Sequence, residues 1–361
     1  MNPKAGEELV TDSGLTAEQI AERWAGLQEE QPQLRIRDAA TRLGVSEAQL
    51  LATRCGRGVT RLEADWGELL AQLGALGPVM ALTRNDSAVS EKDGQYRNVE
   101  VFRSHMHMGQ VLDEGIDLRL FFSHWHHGFA VREETGRGTR RSLQFFDADG
   151  TAVHKTFLRE ESDVAAFDEL AGANASGDQR ADQPTAGRPA PAAEKPDAEV
   201  DVEGFHAAWR ALQDTHDFVM VLRRFGLSRT QALRLAEPEA AWRVANSSFR
   251  RSLERAAAVG GRIMVFVGNP GCIQIHSGPV NEVKVIGEWL NVLDPGFNLH
   301  VFEPGIAEAW VVRKPTARGV VTGVEFYDAR GENIAILHAK RTEDQRQPDF
   351  WPELCAGLEH G

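Results

Sequence analysis

Apolar positions along the chain follow two periods, and the two periods come in the same order twice. Spacings of three and four residues, the mark of an amphipathic helix, run through Ala17–Leu27, Ile36–Arg54 and Trp66–Leu76. They return in Phe205–Phe225, Arg229–Leu235 and Phe249–Val259. Short strand-like runs follow each set. In the first half they are VMALTRN (79–85), LRLFF (118–122), GFAVRE (128–133) and SLQFFD (142–147). In the second half they are RIMVFVGN (262–269), AWVVRK (309–314), GVEFYD (323–328) and IAILHA (334–339). Asp and Gly separate several of these runs, as hairpin turns require. Helices followed by consecutive strands predict an α+β fold, each unit with N-terminal helices and a large, mainly antiparallel sheet. A dinucleotide-binding fold would alternate helix and strand, and the chain has neither a GxGxxG motif nor a P-loop.

The two halves also match residue by residue. VREETGRG (131–138) stands against VRKPTARG (312–319), QFFDADG (144–150) against EFYDARG (325–331), and DLRLF (117–121) against NLHVF (298–302). All three matches share the offset that separates Thr135 from Thr316, so the chain reads as a tandem duplication. Two copies are too few for a solenoid.

Between the copies, residues 171–199 contain no Leu, Ile or aromatic residue and carry Pro184, Pro189, Pro191 and Pro196. Such a stretch has little apolar area with which to offset chain entropy, so it is expected to be a flexible linker. The expected division is a first repeat at 15–170, a linker at 171–199 and a second repeat at 200–358. The net charge of −13 disfavours general binding to nucleic acid. Cys55, Cys272 and Cys355 are widely spaced and odd in number, which argues against a disulfide framework and for a reducing compartment. The N-terminal residues are polar, without a signal-type apolar core, and no run of about 18 apolar residues is present. A cytoplasmic protein with no membrane insertion is the expectation.

Three features invite a chemical reading. His216 falls on the apolar stripe of a helix expected at Val202–Phe225, four residues after Leu212 and three before Val219. On spacing alone, such a histidine is more often a satisfied core residue than a ligand. SHWHH (123–127), with His105 and His107 upstream, is a histidine cluster. Imidazoles bind several metals, but these spacings match no zinc motif, and surface histidines are the preferred reading. AATRLGVSEAQL (39–50) has the form of a helix-turn-helix, with Gly44 at the turn. Its second helix carries Glu47 and no basic residue before Arg54, which suits DNA poorly, so a plain helical hairpin is expected.

Longer strings carry a resemblance. DTHDF (214–218), LSRTQALRL (227–235), MVFVGNPGCIQIHSGPV (264–280), WLNVLDPGFNLHVFE (289–303), AEAWVVRKPT (307–316) and KRTE (340–343) lie in the second half. LTRNDSAVSEKDG (82–94), DLRLFF (117–122) and LQFFDADG (143–150) lie in the first. Together they resemble the bacterial cytoplasmic hemin-degrading and hemin-transport factors, over nearly the whole chain except the extreme N-terminus and the linker. The internal duplication is a feature of that family too.

The resemblance implies a haem ligand, with His216 as the axial ligand to its iron. It implies that Arg119 reaches the distal side from the first repeat and is the candidate catalytic group. It places Arg229 and Lys314 near the propionates, Arg341 as a further polar contact and Phe266 as an aromatic wall. The chain departs from the family pattern in ILHAKRT (336–342), where relatives often have a tyrosine at the position of His338. His338 is therefore a rival to Arg119 as distal group. Ser90 stands where some relatives carry a histidine, so a second haem site there is not expected. The resemblance further implies haem supplied by an inner-membrane importer, and either carriage to a haem oxygenase or degradation on the chain itself. The alternative from another class is a DNA-binding regulator using residues 36–55.

Overall fold

The computed structural model describes residues 14–103, 107–136, 138–188, 193–341 and 347–361. Its first half contains α1 (Ala17–Glu30), α2 (Ile36–Leu43), α3 (Glu47–Ala52), β1 (Val59–Leu62), α4 (Trp66–Gln72), β2 (Val79–Arg84) and β3 (Ala88–Gly94). It continues with β4 (Val99–Phe102), β5 (Met108–Leu112), β6 (Asp117–Phe121), β7 (His127–Thr135), β8 (Gly138–Phe146), β9 (Ala152–Leu158) and α5 (Val164–Ala173). The second half begins with α6 (Val202–Arg210), α7 (Phe218–Phe225), α8 (Arg229–Leu235), β10 (Ala241–Val244), α9 (Ser248–Ala258), β11 (Ile263–Asn269) and β12 (Cys272–Gly278). It ends with β13 (Val283–Ile286), β14 (Trp289–Asp294), β15 (Phe297–Phe302), β16 (Glu308–Thr316), β17 (Gly319–Tyr327), β18 (Asn333–Ala339) and α10 (Phe350–Ala356).

Side chains next to the backbone set the helix limits. Ser46 and Ser228 cap α3 and α8, each accepting the N–H of the Gln three residues on. Gly44 and Gly226 close α2 and α7 in the left-handed region, at φ 68° and 66°, where a Cβ is disfavoured. Two long helices expected from the periodicity are therefore broken. Ile36–Arg54 divides at Gly44. Val202–Phe225 ends at Arg210, because the Asp214 carboxylate captures the N–H of His216 and starts a 3₁₀ turn at Thr215–Asp217.

The chain folds as two compact units. One comprises Met1–Thr83, Asp93–Pro189 and Pro270–Cys272; the other Arg84–Lys92, Ala190–Asn269 and Ile273–Gly361. Arg84–Lys92 was expected with the first repeat. It belongs to the second unit because β3 pairs antiparallel with β15, Leu299 against Ser90, and Ala88 joins that unit's core. Within the first unit the hydrogen-bonded strand orders are β1-β7-β8-β9-β2 and β6-β5-β4; within the second they are β10-β16-β17-β18-β11-β12 and β3-β15-β14-β13.

The duplication is visible in the register. β7 pairs with β8 from His127↔Phe146 to Thr135↔Gly138, and β16 pairs with β17 from Glu308↔Tyr327 to Thr316↔Gly319. The turn glycines Gly138 and Gly319 have φ of 109° and 108°. Each sheet slips at one matching place, Phe145/Phe146 and Phe326/Tyr327.

The expected linker is not free chain. Its first residues complete α5, and Arg61 on the edge strand β1 then donates to the carbonyls of Arg180 and Asp182 and to the side chain of Gln183. Beyond residues 189–192, which lie outside the described residues, Gln231 donates to the Lys195 carbonyl and to Asp197. The polar residues that cannot build a core instead bind polar groups at the edges of the units.

All six residues of α3 are buried, Glu47 and Gln49 included. A recognition helix must offer a face to the major groove, so α2–α3 is a packed hairpin and the DNA-binding reading is withdrawn. No described helix is long and apolar enough to cross a membrane.

Candidate functional site

The sheet of the second unit explains which side chains meet. Side chains alternate across a strand. One face, with Val265, Leu337, Val324, Phe326 and Val311, packs into a core with Phe249 and Leu253 of α9 and Trp351 of α10. The opposite face carries Val312, Trp310 and Tyr327, which α6–α8 cover through Phe205, Trp209 and Phe218. On that face the cover stops short of β11 and β18, leaving Met264, Phe266, Ile336 and His338 half-buried. Phe266 meets the His338 ring edge to face, centroids 5.6 Å apart. The result is a partly open apolar surface bearing two of the residues singled out in the sequence.

Lys314 and Arg229 converge beside it on a residue the sequence reading missed. The Lys314 ammonium donates to Glu325 Oε1 at 2.6 Å and Arg229 Nε donates to Oε2 at 3.0 Å. The Tyr327 hydroxyl donates to the same carboxylate. Glu325 is fully buried. Burial alone would raise its carboxyl; the charges of Arg229 and Lys314 overcome this and hold it well below the usual range. Burial pushes the Lys314 ammonium down, with Glu325 opposing. Two cations and one anion leave one positive charge in excess. Glu325 had a signal in the sequence: it is an acid in an apolar strand, and Gln144 keeps the matching position polar in the first repeat.

His216 lies on an exposed turn two residues before Phe218, not in the core. Its side chain is 93% exposed. The spacing reading failed because the helix breaks before it, which turns Val219 and Met220 outward as well, at 44% and 61% exposure. The turn is anchored on three sides. Ala317 donates its N–H to the Gln213 carbonyl at 2.9 Å, and Trp209 Nε1 donates to the Arg313 carbonyl at 2.9 Å. Phe218 is fully buried, with Lys314 Nζ 4.8 Å and the Arg229 guanidinium 5.6 Å from its ring centre. Asp214 Oδ1 accepts from the His216 backbone at 2.9 Å and contacts ring Nδ1 at 2.5 Å. Arg341 lies near enough, after these bonds, to help hold the Asp214 carboxyl below its usual range. The second unit thus gathers His216, Arg229, Phe266, Lys314, His338 and Arg341.

Arg119 lies in the first unit, on β6, where Nη1 donates to Asp117 at 2.5 Å and to the Leu118 carbonyl at 3.0 Å. The histidine cluster does not assemble. His124 and His126 are exposed, and His127 turns inward against Gln183. His105 lies outside the described residues.

His338 Nδ1 lies 3.2 Å from the Thr322 carbonyl. A carbonyl only accepts, so Nδ1 carries the proton and Nε2 is the acceptor. The ring fills the space a side chain at Gly323 would need, since a Cβ there would meet Cε1 at 2.3 Å. Burial pushes the imidazole down to about 4. Its ordinary value near 6.5 applies on unfolding, so between about pH 6.5 and 4 the unfolded chain binds more protons and stability falls as pH falls. A His338→Ala variant should lose less stability than the parent across that window, as read from urea midpoints at pH 7 and 5. An equal loss would mean that the ring is not held neutral.

One family model, described as the haemin-degrading HemS.ChuX domain, matches the chain twice, at residues 44–173 and 226–358. A hemin transport protein of Yersinia pestis is 40% identical over 332 residues, covering 91% of this chain and 94% of that protein. The crystal structure of holo-PhuS, described as a heme-binding protein of Pseudomonas aeruginosa, is 47% identical with a TM-score of 0.93, over 96% of this chain and 100% of that one. A structure of ChuS from Escherichia coli O157:H7, described as a heme degrading enzyme, is 36% identical with a TM-score of 0.87, over 95% and 99%.

Proposed function

Because this chain belongs to the family of the haemin-degrading HemS.ChuX domain, which it carries in two copies, we propose that it binds haem through His216 in the second unit, within a bacterial haem-uptake and iron-acquisition system. The observation that carries the reading is the exposed imidazole of His216, with Nδ1 tied to Asp214 and Nε2 open to solvent. The same unit holds a buried cluster with one excess positive charge and a sheet with a half-open apolar face. That donor set fits the ligand. Imidazole nitrogen is a common haem-iron ligand, an apolar face suits a flat macrocycle, and cations suit carboxylates.

Haem itself supplies the iron and any redox chemistry; the chain supplies ligation, orientation and charge. His216 Nε2 would be the nitrogen that ligates the iron. Phe266 and Met264 offer apolar contact area. Arg229, 29% exposed in its side chain, has guanidinium N–H groups beyond the Nε that bonds Glu325 and offers them to a propionate. Lys314 is almost enclosed and acts through its charge. Arg341 offers a further cation at the rim. Arg119 is kept as the candidate catalytic group that the resemblance implies, with His338 as its rival.

The primary reading is a carrier, working in the cytoplasm, that takes haem from an inner-membrane importer and passes it to a separate oxygenase. Degradation on the chain is the second reading, favoured by the relative described as a heme degrading enzyme. The test is a titration of the full chain with hemin, followed by reduction in air with and without catalase. One-to-one saturation with a sharp Soret band is expected. Macrocycle opening that persists in catalase, with iron released in equal amount, would establish the second reading. A featureless, non-saturating response would overturn both.

A further inference from the structure

The bond between Asp214 and the His216 ring is more than a helix cap needs. A cap requires the side-chain oxygen to accept a backbone N–H two or three residues on, and Asp214 Oδ1 does this for His216 at 2.9 Å. The same oxygen also meets ring Nδ1 at 2.5 Å. The Asp214 backbone is held in turn, donating its N–H to Asp217 Oδ2 at 3.1 Å. A carboxylate only accepts, so Nδ1 must be the donor. A neutral imidazole has one proton, so its lone pair stands at Nε2.

We infer that Asp214 is a positioning residue for the iron ligand: it fixes the Nδ1–H tautomer and the ring orientation of His216 and strengthens Nε2 as a donor. The inference rests on His216 being the ligand, as proposed above. A carboxylate on the far nitrogen of a metal-bound imidazole raises its basicity, and such partners are worth about 10–100-fold in metal affinity. The stronger donor favours the more highly charged ferric ion over the ferrous one. Acid and histidine are also absent together from the first repeat. Counting back from the matching cap glycines Gly44 and Gly226, Pro32 and Leu34 stand where Asp214 and His216 stand in the second.

The decisive variant is Asp214→Asn, because asparagine caps a helix about as well as aspartate but is a weaker, uncharged acceptor for Nδ1–H. The full chain is loaded with hemin, and three samples are compared: parent, D214N and H216A. The iron–histidine stretch of the reduced complex is read by resonance Raman, and the midpoint potential by spectroelectrochemistry. D214N is expected to lower the stretching frequency. It is also expected to lower the ratio of ferric to ferrous affinity about tenfold, which raises the midpoint by about 59 mV for a one-electron couple. Circular dichroism should match the parent. If D214N leaves stretch and potential unchanged while H216A abolishes the iron–histidine band, Asp214 is only a cap and the inference falls, with His216 still the ligand. If H216A leaves the band in place, the ligand assignment falls and the inference falls with it.

Discussion

Replacing Glu325 by alanine is expected to destabilise the second unit by about 3–5 kcal/mol, the cost of breaking a buried charge pair by removing one partner. Glu325 is fully buried, and its carboxylate takes bonds from Lys314, Arg229 and the Tyr327 hydroxyl. Without it the Lys314 ammonium, 6% exposed in its side chain, has lost its counter-charge. Burial already holds that ammonium below its ordinary value, and losing Glu325 pushes it further in the same direction. The unfolded chain then binds more protons than the folded one over a wider range, so the deficit should shrink as pH rises toward about 10.4. Urea unfolding at pH 7 and pH 9.5 reads both effects. A midpoint close to the parent's at pH 7 would mean that Lys314 swings out to water. The control is Lys314→Met with Glu325→Gln, which removes one positive and one negative charge together. Neutral replacement of a buried pair is often tolerated, so this double variant should lie nearer the parent than Glu325→Ala does.

The first repeat also buries a charged pair in this layer, but with a different strand position. There Glu47, which matches Arg229, pairs with Lys155, which stands where the second repeat has Ile336. In the second repeat the helix supplies the base, Arg229, and the strand supplies the acid, Glu325. Lys314 then adds a cation where the first repeat has Glu133, which instead pairs with Arg140 at the surface. The cluster in the second repeat carries an excess positive charge, suited to an anionic ligand.

The second large effect is expected in the spectrum of His216→Ala loaded with hemin. Binding should weaken only on the order of tenfold, or about 1.4 kcal/mol. Covering roughly 500 Å² of macrocycle at about 25 cal/mol per Å² is worth on the order of 12 kcal/mol gross, and ordering costs remove part of that. The apolar face and the cations remain in the variant. The Soret band, by contrast, reports the axial ligand directly and should shift strongly. An unaltered band would remove His216 as the ligand and direct attention to His338, whose Nε2 is the other acceptor nitrogen among the site histidines of the second unit. His216 is exposed, so its replacement should leave the urea midpoint of the apoprotein within about 0.5 kcal/mol of the parent. That separates its effect from the Glu325 variant, where stability moves most.

Much of the architecture was legible because it is written in local terms. The two periodicities placed the helices and strands. The shared offset between VREETGRG and VRKPTARG anticipated a register that the two hairpins keep down to the φ of their turn glycines. Arg229, Phe266, Lys314, His338 and Arg341, which the resemblance named, lie in the second unit, as His216 does. Two readings failed for one reason, that spacing along a chain does not report what a side chain faces. His216 looked like a core residue because periodicity cannot see Asp214 end the helix. Residues 171–199 looked free because the argument counted apolar area and not hydrogen bonds to Arg61 and Gln231. Residues 84–92 belong to the first repeat in sequence but pack in the second unit, because strand partners are chosen in space.

What the sequence by itself determined is the kind of protein: a duplicated α+β chain, acidic, of a recognisable family. These properties depend on composition, short-range pattern and matching strings. What only the tertiary structure decided is the electrostatic design of the site. Glu325 binds two cations because two strands and a helix bring them within hydrogen-bond distance. His216 is exposed because a carboxylate two residues away competes for its backbone N–H. Charge pairing and burial depend on distance in three dimensions, which no spacing along the chain encodes.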